Sequence, residues 1–160
     1  MAISAWIGRG LVTDVKTISI QNPPHHNLYT RIKVSANGVG VFAIRDIPQG
    51  TPLFAGDVGE TVAIAVSEVE AIADEEVRRM YTDFCPVING CFIAPKDFNQ
   101  ITMGWYLNHS AEPNVAASED LRFIASRFIP KGEELLSDYT TYSAHALDFV
   151  GRWKKPDAQT

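Results

Sequence analysis

Two stretches of the chain carry residue types that neither a strand nor a helix calls for. Trp105-Tyr106-Leu107-Asn108-His109-Ser110-Ala111-Glu112-Pro113-Asn114 gathers two aromatics, two amides, an imidazole and a hydroxyl around one proline. Gly132-Glu133-Glu134-Leu135-Leu136-Ser137-Asp138-Tyr139 follows shortly downstream and adds carboxylates and a phenol. Ser110, His109 and Asp138 invite a hydrolase reading. Neighbours on an extended segment point to opposite sides, however, so His109 cannot readily serve Ser110 Oγ as a base. No Gly-x-Ser-x-Gly elbow is present either. Glu133 and Glu134 are adjacent and share no face, which makes them a poor acid–base pair. The expectation is that the two stretches meet in space and form the working site together.

The elements that must position them are mostly short strands. Val12, Ile18 and Ile20 give fragments of alternation, and Leu28, Thr30, Ile32 and Val34 alternate more cleanly with Tyr29, Arg31 and Lys33. Gln21–Asn27 is a loop by its prolines and amides, and its His25-His26 pair lacks the further ligands a metal site needs. Asn37-Gly38-Val39-Gly40 leads into an apolar strand, so backbone there can approach another group closely. Ala43–Leu53 and Ala125–Leu135 echo one another, each coupling a strand to an Ile-Pro-x-Gly turn with the type I preference of proline second and glycine fourth. Residues 67–81 read as one amphipathic helix with Ser67 and Glu70 at capping-box spacing. Asn89-Gly90 marks a hairpin turn. Val115–Ala117 and Leu121–Ala125 read as strands, and Ser143–Trp153 as a closing amphipathic helix. The fold class is mainly β with minor α, in one domain over 1–160.

Composition narrows the partners. A hydrophobic fraction of 46% is that of an ordinary globular chain able to bury a core. A net charge of -5 lacks the basic face that phosphate binding requires, so no direct nucleic-acid partner is expected. It suits a basic peptide. The start lacks a basic region leading into an apolar run, and no run has the length of a membrane span, so an intracellular chain, cytoplasmic or nuclear, is expected. Cys85 and Cys91 form no Cys-x-x-Cys pair, and neither a disulfide framework nor a cysteine-rich zinc site is expected.

Four blocks in order carry a resemblance: Gly38-Val39-Gly40-Val41-Phe42-Ala43 with Ile47-Pro48-x-Gly50, then Gly59-Glu60, then Tyr106-Leu107-Asn108-His109-Ser110-x-x-Pro113-Asn114, then Gly132-Glu133-Glu134-Leu135-x-x-Asp138-Tyr139. They resemble the SET domain of S-adenosyl-L-methionine-dependent protein lysine methyltransferases, over a core of about residues 30–142. The resemblance implies several small β-sheets around a pseudoknot, with the Asn-His segment threaded under the loop that carries the C-terminal tyrosine. It implies that Gly38, Val39 and Gly40 line the methionine end of the cofactor through their backbone. Asn108 would bind the amino-acid part, His109 would meet the adenine mainly through its backbone, and Tyr106 would border the same site. Trp153 would cover the adenine. Tyr139 would be the catalytic tyrosine. The activity implied is methyl transfer to a substrate lysine, with a histone among the candidate proteins.

Some positions depart from the family pattern. Asp57 stands where an aromatic wall of the lysine channel is common, Ser137 where Phe or Tyr is common, and Ala117 where some members place a further tyrosine. A wider, less aromatic channel is the expectation, suited to di- or trimethylation or to a substrate other than a simple lysine tail. Ala111 replaces a cysteine that often serves a post-SET zinc, so no metal is implied. The missing aromatics keep a second reading open: a SET-fold module that holds a peptide or cofactor without turnover.

Overall fold

The computed structural model describes residues 26–144, apart from 37, 56–58 and 119. The expected strands before residue 26, and the expected closing helix beyond Ala144, lie outside these residues. Thr30–Ser35 (β1) and Gly38–Ala43 (β2) pair antiparallel, with Thr30 opposite Ala43 and Ser35 opposite Gly38. Thr61–Ala65 (β3) leads into two short helices, Val66–Glu70 (α1) and Glu75–Phe84 (α2). Val87–Ile88 (β4) and Cys91–Pro95 (β5) follow, then Asn108–His109 (β6), Val115–Ala117 (β7), Phe123–Ala125 (β8) and Glu134–Ser137 (β9). A larger sheet runs β1-β2-β9-β7-β8 with β6 also paired to β9, and a smaller one runs β3-β5-β4. Mostly strands in small sheets with few helices: the expected class holds.

Each sheet has its own core. Val41, Ala43, Ile47, Leu53, Leu107, Val115, Ala125, Ile129 and Leu135 fill the first, and Val69, Cys85, Val87, Phe92 and Ala94 the second. Burying an aliphatic side chain of this kind contributes about 1.5–3 kcal/mol. The alternation on β1 predicts the strand but not its burial, since Val34 is 85% exposed.

The echoed segments pair with each other. Ile47 N–H donates to Ile129 O at 2.8 Å and Ile129 N–H returns to Ile47 O at 2.9 Å. Asp46 Oδ1 then accepts Lys131 N–H at 2.8 Å. The turns themselves begin one residue later than expected. Thr51 N–H bonds Pro48 O and Glu133 N–H bonds Pro130 O, with φ of 81° at Gly50 and 93° at Gly132. Glycine therefore takes the third turn position at positive φ, which is type II and not the type I of the sequence reading.

The single helix expected over 67–81 is two. Asp74 caps α2, its Oδ1 accepting from Glu76 N–H at 2.9 Å and Val77 N–H at 3.2 Å. The Arg78 guanidinium covers the Ile72 and Ala73 carbonyls at the break. Glu68, and not Glu70, reaches back to the start of α1, at Ala65 N–H. The hairpin turn is as read: Asn89 and Gly90 have φ of 51° and 77° between β4 and β5. Among the described residues, no helix is long and apolar enough to cross a membrane.

Candidate active site

The two unusual stretches meet at β9. Ser137 pairs in parallel with His109 of β6 and with Val115 of β7. One segment, 108–117, thus flanks both sides of β9, and the end of that strand enters the loop between them. Threading of this kind is rare in folded chains. Asn114 holds it closed. It is 1% exposed, and its Nδ2 donates to Glu133 Oε1 at 2.7 Å and Glu134 O at 2.8 Å. Its Oδ1 accepts Leu136 N–H at 2.8 Å, and its own N–H bonds Leu136 O. The side chain acts as an extra piece of strand backbone. Arg127 Nη2 lies 2.5 Å from Glu133 Oε1, and its hydrogen bond, with that of Asn114 after it, holds the Glu133 carboxyl below its ordinary range.

Beside this crossing, acceptors converge on the start of β2. Asn108 Nδ2 donates to Val39 O at 3.0 Å and to Glu134 Oε1 at 2.7 Å, which fixes the orientation of the amide. Ser35 Oγ donates to Glu134 Oε2 at 2.9 Å. Gly40 has no room for a side chain: a Cβ would overlap Glu134 Oε1 and stand 2.9 Å from Asn108 Nδ2. The glycine lets a carboxylate and an amide close over the strand.

On the other side lies a cleft of about 310 Å³, at the seam between the two cores. Leu107 and Asn108 are consecutive on extended backbone, so their side chains face opposite ways. Leu107 lines the cleft together with Phe54, Phe84, Phe123, Tyr139 and Tyr142. The Tyr139 hydroxyl donates to Leu107 O, and burial raises the phenol well above its ordinary pKa, so it stays protonated. His109 Nδ1 accepts Tyr139 N–H at 3.2 Å, which places the ring proton on Nε2. Asp138 Oδ1 is 3.8 Å from the same nitrogen, too far for a hydrogen bond, and its carboxyl is held low chiefly by the Thr140 hydroxyl and N–H. Tyr139 is fixed at both its backbone and its hydroxyl.

A family model of the SET domain matches residues 26–140. The chain belongs to the SET-domain family. A search of curated proteins finds no match. Among solved structures, it is similar to a Plasmodium falciparum protein described as a "putative histone methyltransferase", at 22% identity and a TM-score of 0.45, covering 69% of this chain and 92% of that one.

Within this SET domain, Val39, Gly40, Asn108, His109 and Tyr139 come together beside β9, while Gly38, at the start of β2, pairs with Ser35 of β1. Tyr106 lies in a 3-10 turn over Met103–Tyr106, its ring 5.6 Å from Phe84 and packed on the first core. Ala117 and Ser137 do not line the cleft, and Asp57 and Trp153 lie outside the described residues. The cleft is walled largely by aromatic rings. Besides Trp105 and Tyr139, which fall in the two unusual stretches, its rings come from positions 54, 84, 123 and 142, which belong to neither. The Leu107 carbonyl escaped notice for another reason: a backbone acceptor has no residue type. Among the described residues, no group of three or more His, Cys, Asp or Glu is placed to hold a metal ion.

Proposed function

We propose that the chain is an S-adenosyl-L-methionine-dependent protein lysine N-methyltransferase, with Tyr139 as its catalytic residue. The observation that carries the reading is the pairing of a half-buried, protonated Tyr139 at the cleft with a cluster of acceptors across the Leu107–Asn108 step. The donor set fits the cofactor's amino end. Asn108 Oδ1, Val39 O and the Glu134 carboxylate are acceptors suited to an ammonium group, and Gly40 lets them close in. When bound, the cofactor supplies a methyl group made electrophilic by a sulfonium. Gly38, Val39, Gly40, Asn108 and Glu134 would hold the methionine end, with His109 backbone and Tyr106 toward the adenine and Trp153 over it.

The chain's own residues then have two tasks. A lysine must reach the methyl as the neutral amine, and deprotonation at pH 7 costs roughly 4.6 kcal/mol from an ordinary pKa near 10.4. Aromatic walls at Phe54, Phe123 and Tyr142 disfavour the charged form and offset part of that cost. Tyr139, donating its proton to Leu107 O, presents oxygen lone pairs to an amine N–H and so orients the nitrogen. No side-chain base is needed. His109 acts through Tyr139 as a positioning residue.

The rim favours a basic substrate. Glu60 and Asp120 are paired with Lys96 and Arg122, whereas Asp83 and Asp97 form no ion pair among the described residues. A lysine flanked by basic residues, as in a histone tail, is the substrate class we propose. Incubation with methyl-labelled cofactor and either histones or a cell lysate tests this, with lysine sites mapped by mass spectrometry. Label on lysine is expected from the wild type and not from Tyr139→Phe. Cofactor binding without methylated product would instead favour a SET-fold binding module.

A further inference from the structure

The groups around Asn108 answer only half of an amino-acid head. Asn108 Oδ1, Val39 O and the Glu134 carboxylate suit its ammonium, but the carboxylate on the same carbon would meet Glu134 as a like charge. A cation has to stand on the same face. β1 and β2 carry two, Arg31 and Lys33.

Register selects between them. Residues directly opposite on antiparallel strands project to one side. Lys33 is opposite Gly40, Ser35 is opposite Gly38, and Phe42 is opposite both Arg31 and Glu134. Lys33, Ser35, Phe42 and Glu134 therefore share the face on which Glu134 closes over Gly40, in agreement with the hydrogen bond from Ser35 to Glu134. With no side chain at Gly40 to meet it, the Lys33 stem leans to its diagonal neighbour, and Nζ stands 5.2 Å from the centroid of the Phe42 ring. Lys33 is half-buried although both its chain neighbours are exposed. Among the described residues its ammonium forms no ion pair. Arg31 is exposed and lies two residues further from Gly40 along the strand pair.

We infer that Lys33 holds the carboxylate of the cofactor's methionine end, with Phe42 as the platform that keeps its ammonium in place. This rests on reading the groups around Asn108 as the seat of the cofactor. The division is by charge: Glu134, Asn108 Oδ1 and Val39 O take the ammonium, and Lys33 takes the carboxylate. The cation comes from β1, a strand that none of the four motif blocks reaches.

Calorimetry can compare S-adenosyl-L-methionine with its decarboxylated form, which differs only in lacking that carboxylate. The wild type is expected to bind the full cofactor the more tightly. Lys33→Met, which keeps an unbranched stem over Phe42, should lower that preference about tenfold, the size of a charge-assisted hydrogen bond, and leave affinity for the decarboxylated form within about twofold. Lys33→Arg should keep the preference. Arg31→Gln makes the same change of charge at an exposed site and should keep it within about threefold. Absence of the preference in the wild type, equal weakening of both ligands by Lys33→Met, or as large a loss from Arg31→Gln overturns the inference and leaves the cofactor seat standing. A wild type that binds neither form refutes the cofactor reading itself, and the inference with it. Binding is read without turnover, so a Lys33-dependent preference without methyl transfer would refute the proposed activity alone.

Discussion

Replacing Asn114 by alanine should cost about 3–5 kcal/mol. The side chain makes three hydrogen bonds at 2.7–2.8 Å, two of them to the backbone of β9. Alanine removes the amide and leaves Leu136 N–H and Glu134 O without these partners in a region from which water is excluded. Each such orphaned group costs about 1–3 kcal/mol. Folded domains are stable by only about 5–15 kcal/mol, so the loss is a large share of the whole. Urea unfolding followed by circular dichroism would show it as a lower midpoint at nearly constant slope. Asn114→Asp is a sharper comparison, since it keeps the acceptor for Leu136 N–H but sets a second carboxylate against Glu133. It should be at least as destabilising near neutral pH and recover as the solution is acidified. A loss under about 1 kcal/mol for Asn114→Ala would refute the account of the threaded crossing.

Other outcomes follow from the same geometry. Gly40→Ala drives the Glu134 carboxylate off Asn108; because a side-chain end yields, stability should fall by only about 1 kcal/mol while calorimetry shows cofactor affinity down at least about tenfold. Glu133 has a folded pKa below its ordinary value of 4.5, so its contribution is present above that value and lost as pH falls through the depressed one. Acid unfolding of Glu133→Gln, monitored from pH 6 downward, should lack this part of the pH dependence. Burial pushes Tyr142 up to about 12 from 10.0, so its contribution is complete below 10.0 and lost as pH rises through about 12. Ultraviolet titration of wild type against Tyr142→Phe should show one phenol fewer in the late-ionising class.

Much of this was legible in the residues, and the failures have physical causes. The Asn-His-Ser-x-x-Pro-Asn and Gly-Glu-Glu-Leu-x-x-Asp-Tyr stretches announced a site because their types suit no repeating element. Asn89-Gly90 gave its hairpin because only a few residues tolerate two successive positive φ values. The echoed Ile-Pro-x-Gly segments were visible as a repeat, but their mutual pairing through Ile47 and Ile129 was not, since sequence likeness does not state contact. The helix over 67–81 failed at Asp74, where one side chain offered two N–H groups a better partner than helix continuation did. Threading of β9 leaves no periodic trace at all. Most of the cleft's rings lie outside the two unusual stretches and converge from segments far apart in the chain, which fixed spacing cannot express.

The central claim is that Tyr139 works on a substrate amine while the groups around Asn108 hold the cofactor. The most direct measurement pairs calorimetric binding of S-adenosyl-L-methionine with methyl transfer to lysine peptides, for wild type and Tyr139→Phe. The account predicts that the variant binds the cofactor within about threefold of wild type and that transfer drops by about a hundredfold or more, as expected when a reacting group loses its orienting contact. Transfer that survives the loss of the hydroxyl, with the same sites methylated, would contradict it.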